Sequence, residues 1–242
     1  METTEKAENS TLINRDLLLP YLAPYLAYVG IASLLQNIIP IEINYIIRLL
    51  VVPALLYWAW RWYVPLTGPN KPVISILWGM AGGLLGLGLW ILFYSPFTEP
   101  DTIAWSNSGF YLRLVSASLV VPVFEEIAMR GYVFRLALQW DQTRKDRARK
   151  NKLKGSLLNA LDESNIAEVK PGAWTIWAVL VSSIVFALGH TIPEWPASIA
   201  YGILMSILWI MRKDLLTCII AHGTTNFTLA LYVYFTGHWE LW

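Results

Sequence analysis

Residues 110–138 read FYLRLVSASLVVPVFEEIAMRGYVFRLAL, an apolar run of membrane-crossing length with Glu125, Glu126 and Arg130 in its middle. A single charge at the bilayer centre costs roughly 2.5–3.5 kcal/mol on insertion scales. A chain tolerates three such groups when they face a protein interior, find partners and perform a task. The stretch therefore predicts a membrane-embedded helical bundle with a polar locus inside it.

The rest of the chain agrees. Of its 242 residues, 56% are hydrophobic and only 14% charged, with a mean hydropathy of +0.47. An average soluble domain carries about 25% charged residues. Thirteen Trp and twelve Tyr suit the membrane–water interfaces. The expectation is an all-α polytopic membrane protein with about seven (seven or eight) transmembrane helices and a catalytic cavity in the bundle core. The net charge of +1 gives no reason to expect nucleic acid, and no nucleotide motif is present. Cys218, the single cysteine, excludes an internal disulfide and reads as a small buried hydrophobe.

A span needs about 20 apolar residues to cross a ~30 Å core. Candidates fall at residues 17–39, 43–63, 73–95, 110–139, 173–190, 196–211 and 215–236. Residues 1–16 form a polar tail, and no cleavable signal is expected after it. Residues 17–242 read as one transmembrane domain without internal repeats. In the third span, Gly79/Gly83 and Gly82/Gly86 fit the GxxxG pattern of close helix packing. Arg48, Arg113 and Arg135 lie near span ends, where long basic side chains snorkel to the interface.

Orientation follows from the basic residues. Arg61 and Lys71 flank one connection, the polar segment 141–172 holds eight Lys/Arg, and Arg212 and Lys213 fill a third. The alternate connections carry Glu42, Glu99, Asp101 and Glu194 instead. This pattern predicts a cytoplasmic N-terminus, and 141–172 reads as a basic cytoplasmic loop, partly disordered, that can meet lipid headgroups.

At membrane depth the polar groups are Glu125, Glu126 and Arg130 in the fourth span, His190 at the end of the fifth, and His222 and Asn226 in the seventh. Glu126 and Arg130 are four residues apart, share a helix face and can pair. Glu125 is turned about 100° away and is left free. At 1.5 Å per residue, Glu125 lies ~22 Å and His190 ~24 Å from the cytoplasmic side, with His222 at ~10 Å and Asn226 at ~16 Å. The groups converge from mid-membrane toward the outer half.

Such a cluster holds the parts for hydrolysis by water. A carboxylate can take a proton from water, and an amide N–H and an imidazole N–H can stabilise an oxyanion. Glu125, His190 and His222 are also candidates to hold a divalent metal such as zinc, which would acidify a bound water. The spacing is not the HExxH motif, so nothing local demands a metal and the cofactor stays open. Two other readings remain: a non-catalytic membrane partner for immunity or assembly, stapled by the cluster, and a proton or ion carrier using Glu125. The lack of an inverted repeat counts against the carrier.

Three motifs in this order carry a family resemblance: Glu125-Glu126-x-x-x-Arg130, Phe186-x-x-x-His190 and His222-x-x-x-Asn226. Over residues ~110–236 the chain resembles the CPBP family of intramembrane proteases, relatives of the CAAX prenyl endopeptidase Rce1 and of bacteriocin self-immunity (Abi) proteins. In length and span count it resembles the bacterial group found with exosortase systems. The resemblance implies an endopeptidase, labelled in the family both as a metalloprotease and as a metal-independent glutamate enzyme. It acts on a membrane-associated peptide or protein, by CAAX-type prenyl-protein or sorting-signal processing, in a bacterial inner membrane. It further implies Glu125 as base on water assisted by His190, Glu126 paired with Arg130, and His222 and Asn226 around the oxyanion.

Overall fold

The computed structural model describes residues 12–98, 103–149 and 156–242. Residues 1–11 of the polar tail, Glu99 and Asp101 of one acidic connection, and Lys150, Lys152 and Lys154 of the basic segment lie outside the described residues. Among the described residues the chain is helical throughout: α1 (Asn14–Leu35), α2 (Ile41–Ala59), α3 (Pro72–Tyr94), α4 (Asn107–Val115), α5 (Val121–Glu126), α6 (Phe134–Arg149), α7 (Ser156–Asp162), α8 (Ile176–Ala187), α9 (Trp195–Arg212) and α10 (Leu215–Thr236).

Among the described residues, five stretches are long and apolar enough to cross a bilayer: Asn14–Leu35, Ile41–Trp62, Pro72–Phe97, Ile192–Arg212 and Leu215–Thr236. The fourth expected span is a continuous helical run from Asn107 to Arg149, broken by π-helical turns at Ser116–Val120 and Ile127–Val133. The fifth, expected over 173–190, shortens to the 12-residue α8. At 1.5 Å per residue that is about 18 Å, less than a bilayer core. It ends on a turn that leaves His190 half-buried at its end.

Helix ends are fixed by side-chain caps. Ser106 Oγ accepts from Gly109 N at 3.1 Å, and Thr175 Oγ1 accepts from Ala178 N at 3.1 Å. Asp214 caps α10 through Thr217 N at 2.7 Å and accepts from Ser75 Oγ at 2.8 Å, tying the start of α3 to the start of α10.

The glycines of α3 are the seam of that pair. A Cβ on Gly79 would stand 2.7 Å from Ile220 Cβ, and one on Gly83 2.5 Å from the Ala221 carbonyl oxygen. The backbones approach closely enough for Thr225 Oγ1 to donate to the Gly83 carbonyl at 2.8 Å. Gly83→Leu is therefore expected to separate α3 from α10. Overpacking and the lost hydrogen bond destabilise by about 1–3 kcal/mol or more. Thermal unfolding in detergent reads this, with Gly88→Ala as the silent control because nothing lies within 4 Å of its Cβ position.

Two expectations change at the basic side. The polar tail ends earlier than residue 16, because α1 begins at Asn14, whose side chain is buried. Its Nδ2 donates to Gln139 Oε1 and the Ala160 carbonyl, each at 2.7 Å, and its Oδ1 accepts from Ile166 N at 2.6 Å. The described part of 141–172 is an ordered cap rather than a loose loop. It comprises the end of α6, α7 and a turn at Ile166–Glu168, held also by Arg15 on Asp162 at 2.5 and 2.9 Å.

Candidate active site

The geometry of α5 separates the adjacent carboxylates. Glu126 faces the bundle and is fully buried, whereas 13% of the Glu125 side chain stays accessible. Arg130 Nη1 donates to Glu126 Oε1 at 3.2 Å and lies 3.1 Å from Oε2. Arg130 Nη2 donates to the Gly202 carbonyl at 2.9 Å, which pins α9 to the same pair. Gly202 has no side chain to interpose: a Cβ there would meet Ser183 Cα at 2.9 Å. A carboxylate and a guanidinium in mid-membrane are thus neutralised against each other, as a buried ion pair must be.

His222, on α10, links the two carboxylates. Its Nδ1 lies 3.0 Å from Glu126 Oε1, and a carboxylate only accepts, so Nδ1–H donates. That fixes the ring and turns Nε2 toward Glu125, 3.8 Å from Oε2. The gap is too long for a direct hydrogen bond and suits a water that touches both atoms. The ring is wedged between Tyr201 and Phe186, with centroids at 5.5 and 6.0 Å.

His190 follows the same logic on the opposite wall. Its Nδ1 sits 3.0 Å from the Phe186 carbonyl, so Nδ1–H donates and Nε2 keeps its lone pair. Trp90 and Phe186 hold the ring, at 5.6 and 4.7 Å between centroids. Glu125, His190, His222 and Asn226 line one cavity of about 330 Å³.

Asn226 has a further structural duty. The π turn at Ser116–Val120 closes with Val121 N on the Ser116 carbonyl. The next donor would be residue 122, but Pro122 has no N–H. The Ala117 carbonyl left over accepts from Asn226 Nδ2 at 2.8 Å. One amide hydrogen of Asn226 is therefore committed to backbone, and the other remains for a ligand in the cavity.

Of the six residues named from the sequence, Glu125, His190, His222 and Asn226 line the cavity, and Glu126 and Arg130 stand behind it through His222; the neighbours Tyr201, Trp90 and the Gly202 carbonyl went unnamed. Two expectations about arginine are corrected. Arg48 is 5% exposed and does not snorkel. Its guanidinium stands 3.9 Å from the Tyr45 ring centroid and 4.7 Å from that of Tyr28. Arg135 is likewise buried, on the Ile166 and Val169 carbonyls at 3.2 and 3.5 Å. Cys218 is buried, with Sγ 3.5 Å from the Met205 carbonyl.

Zinc needs three protein donors about 2.0–2.3 Å from one point. Among the described residues no three His, Cys, Asp or Glu side chains are grouped to hold a metal ion. Glu125, His190 and His222 as they stand do not make that set.

Residues 107–228 match the family model described as type II CAAX prenyl endopeptidase Rce1-like, a stretch covering half the chain and all six site residues. No curated protein and no solved structure matches.

Proposed function

The chain belongs to the type II CAAX prenyl endopeptidase Rce1-like family, and on that premise we propose that it hydrolyses a peptide bond of a membrane-associated, CAAX-type substrate with Glu125 as the base. The observation that carries this reading is the division of labour between neighbours. Glu126 is spent on Arg130 and His222, whereas Glu125 is free, faces the cavity and stands 3.8 Å from a ring nitrogen.

Water held against Glu125 and the Nε2 atoms of His190 and His222 gives its proton to Glu125 while its oxygen bonds to the scissile carbonyl carbon. The carbonyl oxygen becomes an oxyanion. The second amide hydrogen of Asn226 receives it. The proton on Glu125 passes on to the departing nitrogen as the C–N bond breaks, and the carboxylate is restored.

The membrane setting completes the proposal. The basic connections support a cytoplasmic N-terminus, and the family resemblance supports a bacterial inner membrane. In that orientation the cavity wall formed by His190, Thr191 and Glu194 lies toward the outer side, and the substrate reaches the cavity within the bilayer or from that face.

The test is cleavage of a prenylated CAAX peptide by the purified protein in lipid nanodiscs, with mass-spectrometric assignment of the new ends. The wild type is expected to release the fragment, and His190→Ala to release it about 10²-fold more slowly. A His190→Ala rate equal to wild type would remove His190 from the mechanism. Absence of any cleavage by the wild type would remove the proposal.

A further inference from the structure

The cavity that holds Glu125 also holds two arginines that the hydrolytic chemistry does not use. Arg48, on α2, and Arg113, on α4, both line it. The Arg48 guanidinium is packed against the rings of Tyr45 and Tyr28, with Nε 3.5 Å from the Asn44 carbonyl. That of Arg113 lies between Trp105 and Trp242, at 4.8 and 4.6 Å from the ring centroids. Aromatic faces accept a cation but do not neutralise it. Neither guanidinium is within ion-pair distance of a carboxylate among the described residues. The one other acid on the cavity wall, Glu194, is engaged locally: its Oε2 accepts from Thr191 N and Oγ1 at 2.8 and 2.6 Å.

Two cations on one cavity wall, Arg48 buried and Arg113 half-buried, with no counter-charge among the described residues, call for an anionic ligand. The planar fork of arginine matches a carboxylate in two parallel hydrogen bonds. We infer that Arg48 and Arg113 form the subsite for the free C-terminal carboxylate of the peptide substrate. This deepens the endopeptidase reading and rests on it.

The dimensions fit. Arg113 precedes Glu125 by twelve residues on one helical run, about 18 Å along the axis. Extended peptide spans about 3.3–3.6 Å per residue. A carboxylate at the arginines therefore places the bond about five residues upstream, or fewer where the guanidinium reaches inward, over Glu125. The subsite would make the enzyme measure its cut from the end of the chain.

The test compares one prenylated CAAX peptide as the free acid and as the C-terminal carboxamide. Binding to the wild-type protein in nanodiscs is read by tryptophan fluorescence, since Trp90 and Trp242 line the cavity. The acid is expected to bind about 10- to 100-fold more tightly than the amide. Arg48→Gln and Arg113→Gln are each expected to bring the ratio near one. Arg48→Lys, which keeps the charge and loses the fork, retains part of it.

Equal wild-type binding of acid and amide would overturn the inference, even if Arg48→Gln fails to fold. So would failure to bind either peptide. Equal binding combined with an Arg48-dependent gain in melting temperature on adding phosphatidylglycerol would assign the subsite to a lipid headgroup instead. Binding and cleavage are separate measurements, so the two readings fail separately. Equal binding with continued cleavage removes the subsite alone, and a clear acid preference without any cleavage removes the peptidase alone.

Discussion

Glu125→Gln is expected to lower the rate of peptide cleavage by about 10³-fold, within the range for loss of a general base, and to leave the melting temperature in detergent nearly unchanged. The reason is what Glu125 lacks. No cation is paired with it, and it makes no hydrogen bond among the described residues that a carboxamide would forfeit. Its nearest partner is His222 Nε2 at 3.8 Å, beyond hydrogen-bonding reach. A carboxamide keeps the shape and cannot take the proton. If the cluster were only a staple between helices, the same variant would lose stability and show no catalytic defect. Rate and melting temperature measured on one preparation separate the two readings.

The second large effect is expected one turn away and with the opposite signature. Arg130→Leu removes the only arginine or lysine on Glu126 among the described residues, and the donor to the Gly202 carbonyl. Both partners are sealed from water, so the stranded carboxylate bears the full cost of an unpaired buried charge. Breaking such a pair from one side costs about 3–5 kcal/mol, about 10 °C or more in melting temperature for a chain this size. Activity should fall in step, because His222 is held through Glu126 Oε1. Glu126→Leu combined with Arg130→Leu should be less harmful than the sum of the single changes, since no charge is stranded. A melting temperature within about 1 °C of wild type for Arg130→Leu would contradict this assignment.

These two residues show how far the sequence could be read. Helix periodicity alone separates Glu125 from Glu126 and pairs Glu126 with Arg130, because that pair is local. Glycine spacing marked the third span for close helix packing but did not name α10 as its partner. What periodicity cannot carry is which distant group completes a local one. His222 bonding to Glu126 while facing Glu125 depends on α10 packing against α5, and Gly202 serves Arg130 through a backbone atom that has no sequence signature. The π turns had one visible cue, Pro122 in mid-span, whose missing N–H leaves a carbonyl for Asn226 to satisfy. Arg48 was misplaced because snorkelling assumes that a basic side chain near a span end finds water; here Tyr28 and Tyr45 cover it.

The central claim is that water, activated by Glu125, attacks the peptide directly. Single-turnover cleavage of the prenylated peptide in H₂¹⁸O, followed by mass spectrometry of both product and protein, tests it most directly. One ¹⁸O is expected in the new C-terminal carboxylate of the product and none in the side chain of Glu125. Label in the Glu125 carboxylate would show that this side chain attacks the carbonyl itself, and would rule out direct attack by water.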